Sequence, residues 1–178
     1  SSSNVYKDTS RVFSEYTKRK PKNTYGKNKI KIENYLIKKN FPSYIILRLF
    51  NIVGVTNKFY IFKPKKKYQK FFFKLVDKNF RPIIKFYFRN KKINYPTRDF
   101  LDIADLNSLI LKIIRELKKR KIKNIFNVGS GKDQSILYLY NKFSRRINIK
   151  KPIYKILPKK ELERTKANNL KVMKYFNW

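Results

Sequence analysis

The chain has 178 residues, with 46 Lys and Arg against 11 Asp and Glu, which gives a formal net charge of +35 at pH 7. It contains neither cysteine nor histidine, so disulfide bonds, thiolate zinc sites and any histidine base or metal ligand are excluded. No apolar run of about 18 residues offers a membrane span, and no signal peptide is visible. We therefore expect a cytoplasmic protein without a bound metal.

Apolar periodicity and turn residues predict an α/β order in the first third of the chain. The opening "SSSNVY", residues 1–6, is typical of a strand end that enters a loop over 7–24. A noisy helical pattern covers 25–39. The near-continuous apolar run "YIILRLFNIVG", residues 44–54, is typical of a parallel strand covered on both faces. A strand end, a helix and a buried strand in that order indicate an α/β fold.

The rest of the chain is less regular, and residues 55–97 carry the weakest patterns. The predicted elements are a helix over 71–78, a strand over 82–88, a helix over 106–119 with Asp105 as its N-cap, a strand and turn over 124–132, a helix from there to about 146, a strand over 152–157 and a helical tail over 161–178.

Glycine is scarce and all of it lies in short motif-like stretches. Gly26 is in "YGKNK", Gly54 in "RLFNIVG", and Gly129 and Gly131 in "NVGSGK". Since glycine allows a positive φ and a close approach of the backbone, these stretches indicate turns that other residues could not form.

Tyr25 and Lys29 are four residues apart on the predicted helix, and so lie on one face, one turn apart. An ammonium group near a phenol stabilises the phenolate, and such a tyrosine can exchange a proton with a substrate hydroxyl near neutral pH. A serine of "SSSNVY" could hold the same oxygen. The spacing alone is weak, because a chain with 13 tyrosines and so many lysines contains such pairs by chance. The alternative is a partly buried aromatic ring beside a solvated lysine.

Five stretches follow one another along the chain: "SSSNVY", "TYGKNKIKIE", "ILRLFNIVG", "RDFLDIADL" and "NIFNVGSGK". Together they resemble the extended short-chain dehydrogenase/reductase family, in its branch of NAD-dependent sugar-nucleotide epimerases and dehydratases, and most closely the UDP-glucose 4-epimerases. The resemblance implies the C-terminal part of a Rossmann-like doubly wound parallel sheet plus a smaller substrate-binding α/β region. Residues 1–54 would complete the NAD-binding domain, and 55–178 would mainly bind the sugar nucleotide.

The resemblance also implies roles for residues in the first part of the chain. Tyr25 would be the base that takes the proton of the sugar 4-hydroxyl. Lys29 would bind the nicotinamide ribose of NAD and favour the phenolate. Ser2 would be the catalytic serine beside the cofactor. Phe50 would contact the cofactor and Asn51 the sugar nucleotide, and the alternatives for these two are core packing and a strand-end turn.

Later in the chain, the resemblance implies that Arg98 grips the substrate diphosphate, because a guanidinium binds phosphate with two hydrogen bonds. The alternative is an ion pair with Asp99 or Asp102. "NVGSG" would be a structural turn between a strand and a helix.

In the shortened segment "PKKELERTKAN", Glu161 would replace the family's nucleotide-binding acid, and Lys159 or Lys160 its phosphate-binding arginine. The resemblance further implies a UDP-sugar substrate and a homodimer.

Two departures from the family pattern refine the expectation. The 4,6-dehydratases of the family carry an Asp-Glu pair directly after the catalytic residue, where this chain has Ser3 and Asn4. Neither is a carboxylic acid or base, so an epimerase is favoured over a dehydratase. The Gly-x-x-Gly-x-x-Gly turn that holds the NAD pyrophosphate is absent, and no glycine precedes Gly26. We therefore expect a fragment of a longer enzyme or a decayed gene.

The excess of basic residues leaves a second class of function open. Lys and Arg neutralise phosphates, so the chain could bind RNA or another polyanion, at least non-specifically, and aromatic residues as in "KYQKFFFK" would offer stacking surfaces. Against this, lysine is spread along the whole chain, densest at 63–74 and 118–123, as biased composition would produce. A non-catalytic remnant of the same fold is the third alternative.

Overall fold

The computed structural model describes residues 1–7, 12–54, 81–159 and 161–178. The helix predicted over 71–78, the lysine-rich stretch at 63–74 and Lys160 lie outside these ranges. Within them the chain is an α/β fold with parallel strands, as the sequence predicts.

The elements are named in chain order. A 3-10 turn covers Ser3–Val5. The α-helices are α1 Thr24–Lys39, α2 Ile103–Lys119, α3 Ile136–Ser144 and α4 Leu170–Phe176. The strands are β1 Tyr44–Leu49, β2 Asn51–Val53, β3 Ile83–Arg89, β4 Lys92–Asn94, β5 Thr97–Asp102, β6 Lys123–Val128, β7 Asp133–Ser135, β8 Ile153–Ile156 and β9 Arg164–Thr165.

The apolar run at 44–54 is two strands that pair with different neighbours. β1 pairs in parallel with β6, and β2 pairs in parallel with β5. Phe50 separates β1 from β2, and its N–H donates to the Val128 oxygen at 3.0 Å. β5 also pairs antiparallel with β7 and parallel with β9, while β3 lies between β4 and β8 in another sheet. The chain therefore passes from one sheet to the next at Phe50.

Three predicted helix starts are wrong. The helix predicted to follow residue 132 directly begins at Ile136, because Asp133–Ser135 form β7 and pair with β5. The N-cap of α2 is Asp102, whose carboxylate accepts from the Ala104 N–H at 2.8 Å, so the helix begins three residues before the predicted start and not after Asp105. The tail is helical only over Leu170–Phe176. Its earlier part forms β9, because the backbone there pairs with β5, a partner distant in sequence.

Three buried clusters form in the described residues, and the two larger ones pack against the parallel strands. The larger of these two packs α2 and α4 on the sheet of β1 and β6, with Leu109, Phe126, Val128 and Val172 fully buried. The smaller of these two joins three distant segments through its buried members, which are Val5, Tyr6, Phe13, Phe50, Leu162 and Ala167. It fixes the start of the chain against the end of β1. In the ranges described, no helix is both long and apolar enough to cross a membrane.

Candidate active site

Three of the candidate residues, Ser2, Phe50 and Asn51, lie at the carboxyl end of the parallel strand β1. Ser2 forms a parallel bridge with Leu49, the last residue of β1. Phe50 and Asn51 follow directly, and Gly129 follows the end of the neighbouring strand β6. In open α/β sheets this edge is where ligands bind.

A close backbone contact places the start of α1 beside Ser2. Asn23 caps α1 by accepting from the Gly26 N–H at 2.8 Å, and its side-chain amide donates to the Asn4 side chain at 3.3 Å. A Cβ added at Gly26 would lie 2.2 Å from the backbone oxygen of Asn4. Only glycine allows this approach, so the residue after Tyr25 lies directly against the turn that carries Ser2.

The Tyr25–Lys29 pair has the geometry expected from its spacing. The Lys29 ammonium lies 5.3 Å from the centre of the Tyr25 ring, and the tyrosine is 53% exposed. The same helix carries a second pair, in which the Lys39 ammonium lies 5.7 Å from the Tyr35 ring. Successive residues of an α-helix are about 100° apart, so Tyr35, ten residues after Tyr25, lies about 80° from it around the helix axis. What distinguishes Tyr25 is its place next to the Ser2 turn.

Ser2 is buried and its hydroxyl oxygen acts as an acceptor. The Asn4 backbone N–H donates to it at 3.3 Å, and the Asn4 side-chain amide donates at 3.2 Å. A serine hydroxyl retains one hydrogen to donate while it accepts two bonds. Ser2 can therefore both cap its own turn and donate to a substrate oxygen.

Phe50 is 6% exposed and its ring lies 6.2 Å from that of Phe13, which is the core packing named as its alternative role. Asn51 is half-buried, and its side-chain amide donates to the Asp99 backbone oxygen at 3.0 Å and to the Thr165 hydroxyl at 3.4 Å. Asn51 is thereby tied to β5 and β9.

Arg98 lies one residue before a buried carboxylate. Its guanidinium donates to the backbone oxygens of Thr97 at 2.8 Å and Glu163 at 3.3 Å. The Asp99 carboxylate accepts from the Ser130 N–H at 2.7 Å, the Ser130 hydroxyl at 2.8 Å, the Gly131 N–H at 3.0 Å and the Ala167 N–H at 2.9 Å. The "NVGSG" turn, in which Gly131 has a φ of +73°, is thus held by Asp99.

The segment around Glu161 lies near the start of α1. The Lys22 ammonium, two residues before α1, donates to the Glu161 backbone oxygen at 3.3 Å. The Glu161 carboxylate forms an ion pair with Lys85, and Lys159 is exposed. This contact ties the segment to the start of α1.

A buried polar network next to the candidate site was not predicted. The Arg48 guanidinium donates to the two Glu33 carboxylate oxygens at 2.9 and 2.7 Å. It also donates to the Tyr6 hydroxyl at 2.9 Å, which in turn donates to the Asn127 side chain at 2.5 Å. All four side chains are buried. The signals were present, because Arg48 is a charged residue inside an apolar run and Glu33 is the one acid of α1.

The network shifts the pKa values of three of its members. Burial alone would lower the pKa of Arg48, but its hydrogen bonds to Glu33 and Tyr6 outweigh burial and raise that pKa. Burial raises the pKa of Tyr6 to about 12, although the Arg48 charge acts in the opposite direction. Burial alone would also raise the pKa of Glu33, but hydrogen bonds from Arg48 and Ser1 and the charges of Arg48 and Arg19 outweigh it and lower the pKa below its usual value. Glu33 is therefore a carboxylate at neutral pH.

In the part of the chain that the structure describes, no group of acidic side chains is arranged to hold a metal ion. The chemistry available at the site is that of a phenol, an ammonium and a serine hydroxyl at a strand edge suited to a nucleotide.

Comparison with known proteins establishes the family. The sequence model of the NAD dependent epimerase/dehydratase family matches residues 1–129. The chain therefore belongs to this NAD-dependent family, as its motifs predict. A search of curated proteins gave no match.

Solved structures show the same fold. UDP-N-acetylglucosamine 4-epimerase from Methanobrevibacter ruminantium M1, in complex with UDP-N-acetylmuramic acid, is 20% identical with a TM-score of 0.75, over 97% of this chain and 53% of that one. UDP-glucose-4-epimerase from Stenotrophomonas maltophila, with bound NAD and formylated UDP-arabinopyranose, is 19% identical with a TM-score of 0.80, over 100% and 56%.

UDP-glucuronic acid 4-epimerase from Bacillus cereus, in complex with UDP-glucuronic acid and NAD, is 25% identical with a TM-score of 0.72, over 100% of this chain and 54% of that one. The chain thus spans little more than half the length of these three structures.

Proposed function

We propose that the chain contributes the catalytic part of a sugar-nucleotide 4-epimerase that acts on a UDP-sugar with NAD. The observation that carries the proposal is the contact of Gly26 with Asn4, which brings the helix of Tyr25 and Lys29 against the turn of Ser2. Family membership and the likeness to three UDP-sugar 4-epimerases support the choice of substrate class.

In this proposal Tyr25 takes the proton of the sugar 4-hydroxyl, and its exposure leaves room for a substrate. Ser2 donates a hydrogen bond to the same oxygen. Lys29, within reach of the Tyr25 ring, stabilises the phenolate. When the sugar ring has turned, Tyr25 returns the proton to the C4 oxygen, and the configuration at C4 would be inverted because hydride returns to the opposite face of the C4 carbonyl.

The side chains present suit the nicotinamide end of NAD. A half-buried lysine, an exposed phenol and a serine hydroxyl can hold a ribose, and all lie at the strand edge where nucleotides bind. When bound, NAD supplies a reversible acceptor for the hydride of the sugar C4. The pyrophosphate end requires a glycine-rich turn, and the 178 residues contain no such motif. We propose that this end is held by polypeptide outside these residues.

We further propose that residues 1–54 belong to the NAD-binding domain and that 55–178 mainly bind the sugar nucleotide. β6 is the exception, because it lies in the second range but pairs with β1 of the first. The first of these parts has a cavity of about 260 Å³ between α1 and β1. Its lining combines apolar side chains such as Ile45 and Leu47 with the polar residues Ser1, Lys29 and Glu33, and a further part of a cofactor-binding domain would cover the apolar side chains.

Arg98 is proposed to hold the substrate's diphosphate, and Asn51 its nucleotide. Glu161 and Lys159 are proposed to contact the nucleotide and a phosphate, from the segment that accepts a hydrogen bond from Lys22 beside α1. An epimerase is favoured over a dehydratase because Ser3 and Asn4 offer no carboxyl group next to Ser2.

The test uses the protein that carries this chain, expressed at its natural length. We expect NAD to co-purify and to be released on denaturation, and UDP-glucose and UDP-galactose to be interconverted, as followed by NMR. UDP-N-acetylglucosamine and UDP-glucuronate are assayed in parallel to identify the sugar. Bound NAD without conversion of any of these UDP-sugars would contradict the proposal.

A further inference from the structure

Lys29 lies between two groups that could bind its ammonium. One is the Tyr25 ring, four residues before it, which it contacts. The other is the carboxylate of Glu33, four residues after it on the same helix face. Lys29 and Glu33 also line the same cavity. An ion pair with Glu33 would draw the ammonium away from Tyr25.

Arg48 of β1 binds Glu33 instead. The guanidinium contacts both carboxylate oxygens in a fork, and both side chains are almost fully buried, at 2% and 1% exposure. Such a two-bond pair in a buried place is far stronger than a single contact between a lysine and a carboxylate at (i, i+4). Among the residues that the structure describes, no ion pair joins Lys29 to a carboxylate.

The other groups that face Glu33 are weaker competitors. Arg19 reaches one carboxylate oxygen at 3.3 Å and is 35% exposed, and the Ser1 hydroxyl donates at 2.5 Å. On the far side of Arg48, the Tyr6 hydroxyl and the Glu15 backbone oxygen accept from the guanidinium at 2.9 and 3.0 Å. These contacts hold Arg48 in place.

We propose that Arg48 is a positioning residue that keeps the Glu33 carboxylate occupied and so leaves the Lys29 ammonium available to Tyr25 and to the cofactor ribose. This inference rests on the proposed function, in which Tyr25 is the base. A purely structural role, by contrast, would use the Arg48–Glu33 pair only to anchor α1 to β1.

The two roles predict different behaviour of paired variants. In Arg48→Met the Glu33 carboxylate is released and attracts Lys29, so less cationic charge stabilises the phenolate that acts as base. We expect the acidic limb of the pH–rate profile to move to higher pH, with an approximately tenfold loss of kcat/KM at neutral pH and weaker NAD binding. Glu33→Gln removes the competing charge and should keep the wild-type pH profile. The double variant should regain that profile while remaining less stable than wild type.

The structural role predicts that Glu33→Gln and Arg48→Met shift the profile equally and that the double variant brings no recovery, and either result would overturn the inference. Arg48→Lys, which retains a cation, is expected to keep the wild-type profile even if Arg48→Met folds poorly. If the wild-type protein shows no epimerisation, the proposed function fails separately. A crystal structure of Arg48→Met still decides the inference, since an ion pair of Lys29 with Glu33 supports it and an unchanged Lys29 overturns it.

Discussion

Gly26 lies against the backbone oxygen of Asn4 so closely that a Cβ at residue 26 would be only 2.2 Å from that oxygen. The Pro21 side chain closes the same space, at 2.7 Å. The contact joins the N-terminus of α1 to the turn that carries Ser2. It therefore sets the position of Tyr25 relative to Ser2, on which the proposed proton transfer depends.

Substituting Gly26 with alanine is expected to push α1 away from this turn. Because the nearest neighbours are the Asn4 backbone and the rigid Pro21 ring, which cannot rotate aside, we expect a loss of about 2 kcal/mol of unfolding free energy, measured by urea denaturation. Lys27→Ala is the matched control, at an exposed position one residue further, and should change stability by less than about 0.5 kcal/mol. Equal effects of the two substitutions would show that the close contact does not exist.

The Asp99 carboxylate holds the Ser130–Gly131 turn and the Ala167 backbone on β5. An asparagine in its place has one oxygen and an NH₂ group, which cannot accept from the four donors present. We expect Asp99→Asn to cost about 3 kcal/mol and to raise KM for the UDP-sugar, because Arg98 and Asn51 adjoin the same segment. Asp102→Asn is the control, since asparagine is as good an N-cap as aspartate. A stable Asp99→Asn protein with wild-type KM would refute this role.

The buried Tyr6 phenol should make stability depend on alkaline pH. Its pKa is raised to about 12 from an ordinary value of 10.0, so its contribution is present below pH 10 and is lost as the pH rises from 10 to 12. Tyr6→Phe lacks the hydroxyl and should be about 2 kcal/mol less stable at pH 8.

The difference in unfolding free energy between wild type and Tyr6→Phe should therefore narrow between pH 10 and pH 11. Tyr138→Phe, at an exposed tyrosine, controls for the general effect of alkali. A difference that stays constant from pH 8 to pH 11 would mean that Tyr6 is not buried as described.

Local patterns in the sequence were sufficient for α1 and for the parallel strands. The helix predicted over 25–39 is observed as Thr24–Lys39, and the apolar run at 44–54 is parallel as predicted. Its burial is less complete than predicted, because only Ile46, Arg48 and Phe50 are buried while the residues between them are half-buried. The division of that run at Phe50 could not be predicted, because it depends on two partner strands, β6 and β5, that lie far along the chain.

The misplaced start of the tail helix has the same origin. Residues 164–167 could have continued a helix, but Thr165 pairs with Arg98 and the Ala167 N–H donates to Asp99. Tertiary contacts of this kind override local propensity. The Arg48–Glu33 pair was missed for a related reason, since a charge in an apolar run indicates a partner without telling which acid it is.

The family, the fold and the NAD dependence were predicted from five motifs in their order along the chain, and not from composition. The roles of Tyr25, Lys29 and Ser2 remain predictions that geometry supports, and those of Phe50 and Lys159 have less support. Phe50 packs in the core, and Lys159 is an exposed side chain. The salt dependence of RNA binding would test whether the excess of lysine adds an affinity for polyanions.

The most direct test of the central claim compares the two Tyr-x-x-x-Lys pairs of α1 in the protein at its natural length. Tyr25→Phe and Tyr35→Phe each remove one exposed hydroxyl from the same helix, beside a lysine at a similar distance. The measurement is the rate of UDP-glucose epimerisation with NAD bound. We expect Tyr25→Phe to lose at least about a hundredfold in kcat and Tyr35→Phe to remain within about twofold of wild type. Similar rates for the two variants would contradict the account, because Tyr25 would then have no part in the proton transfer.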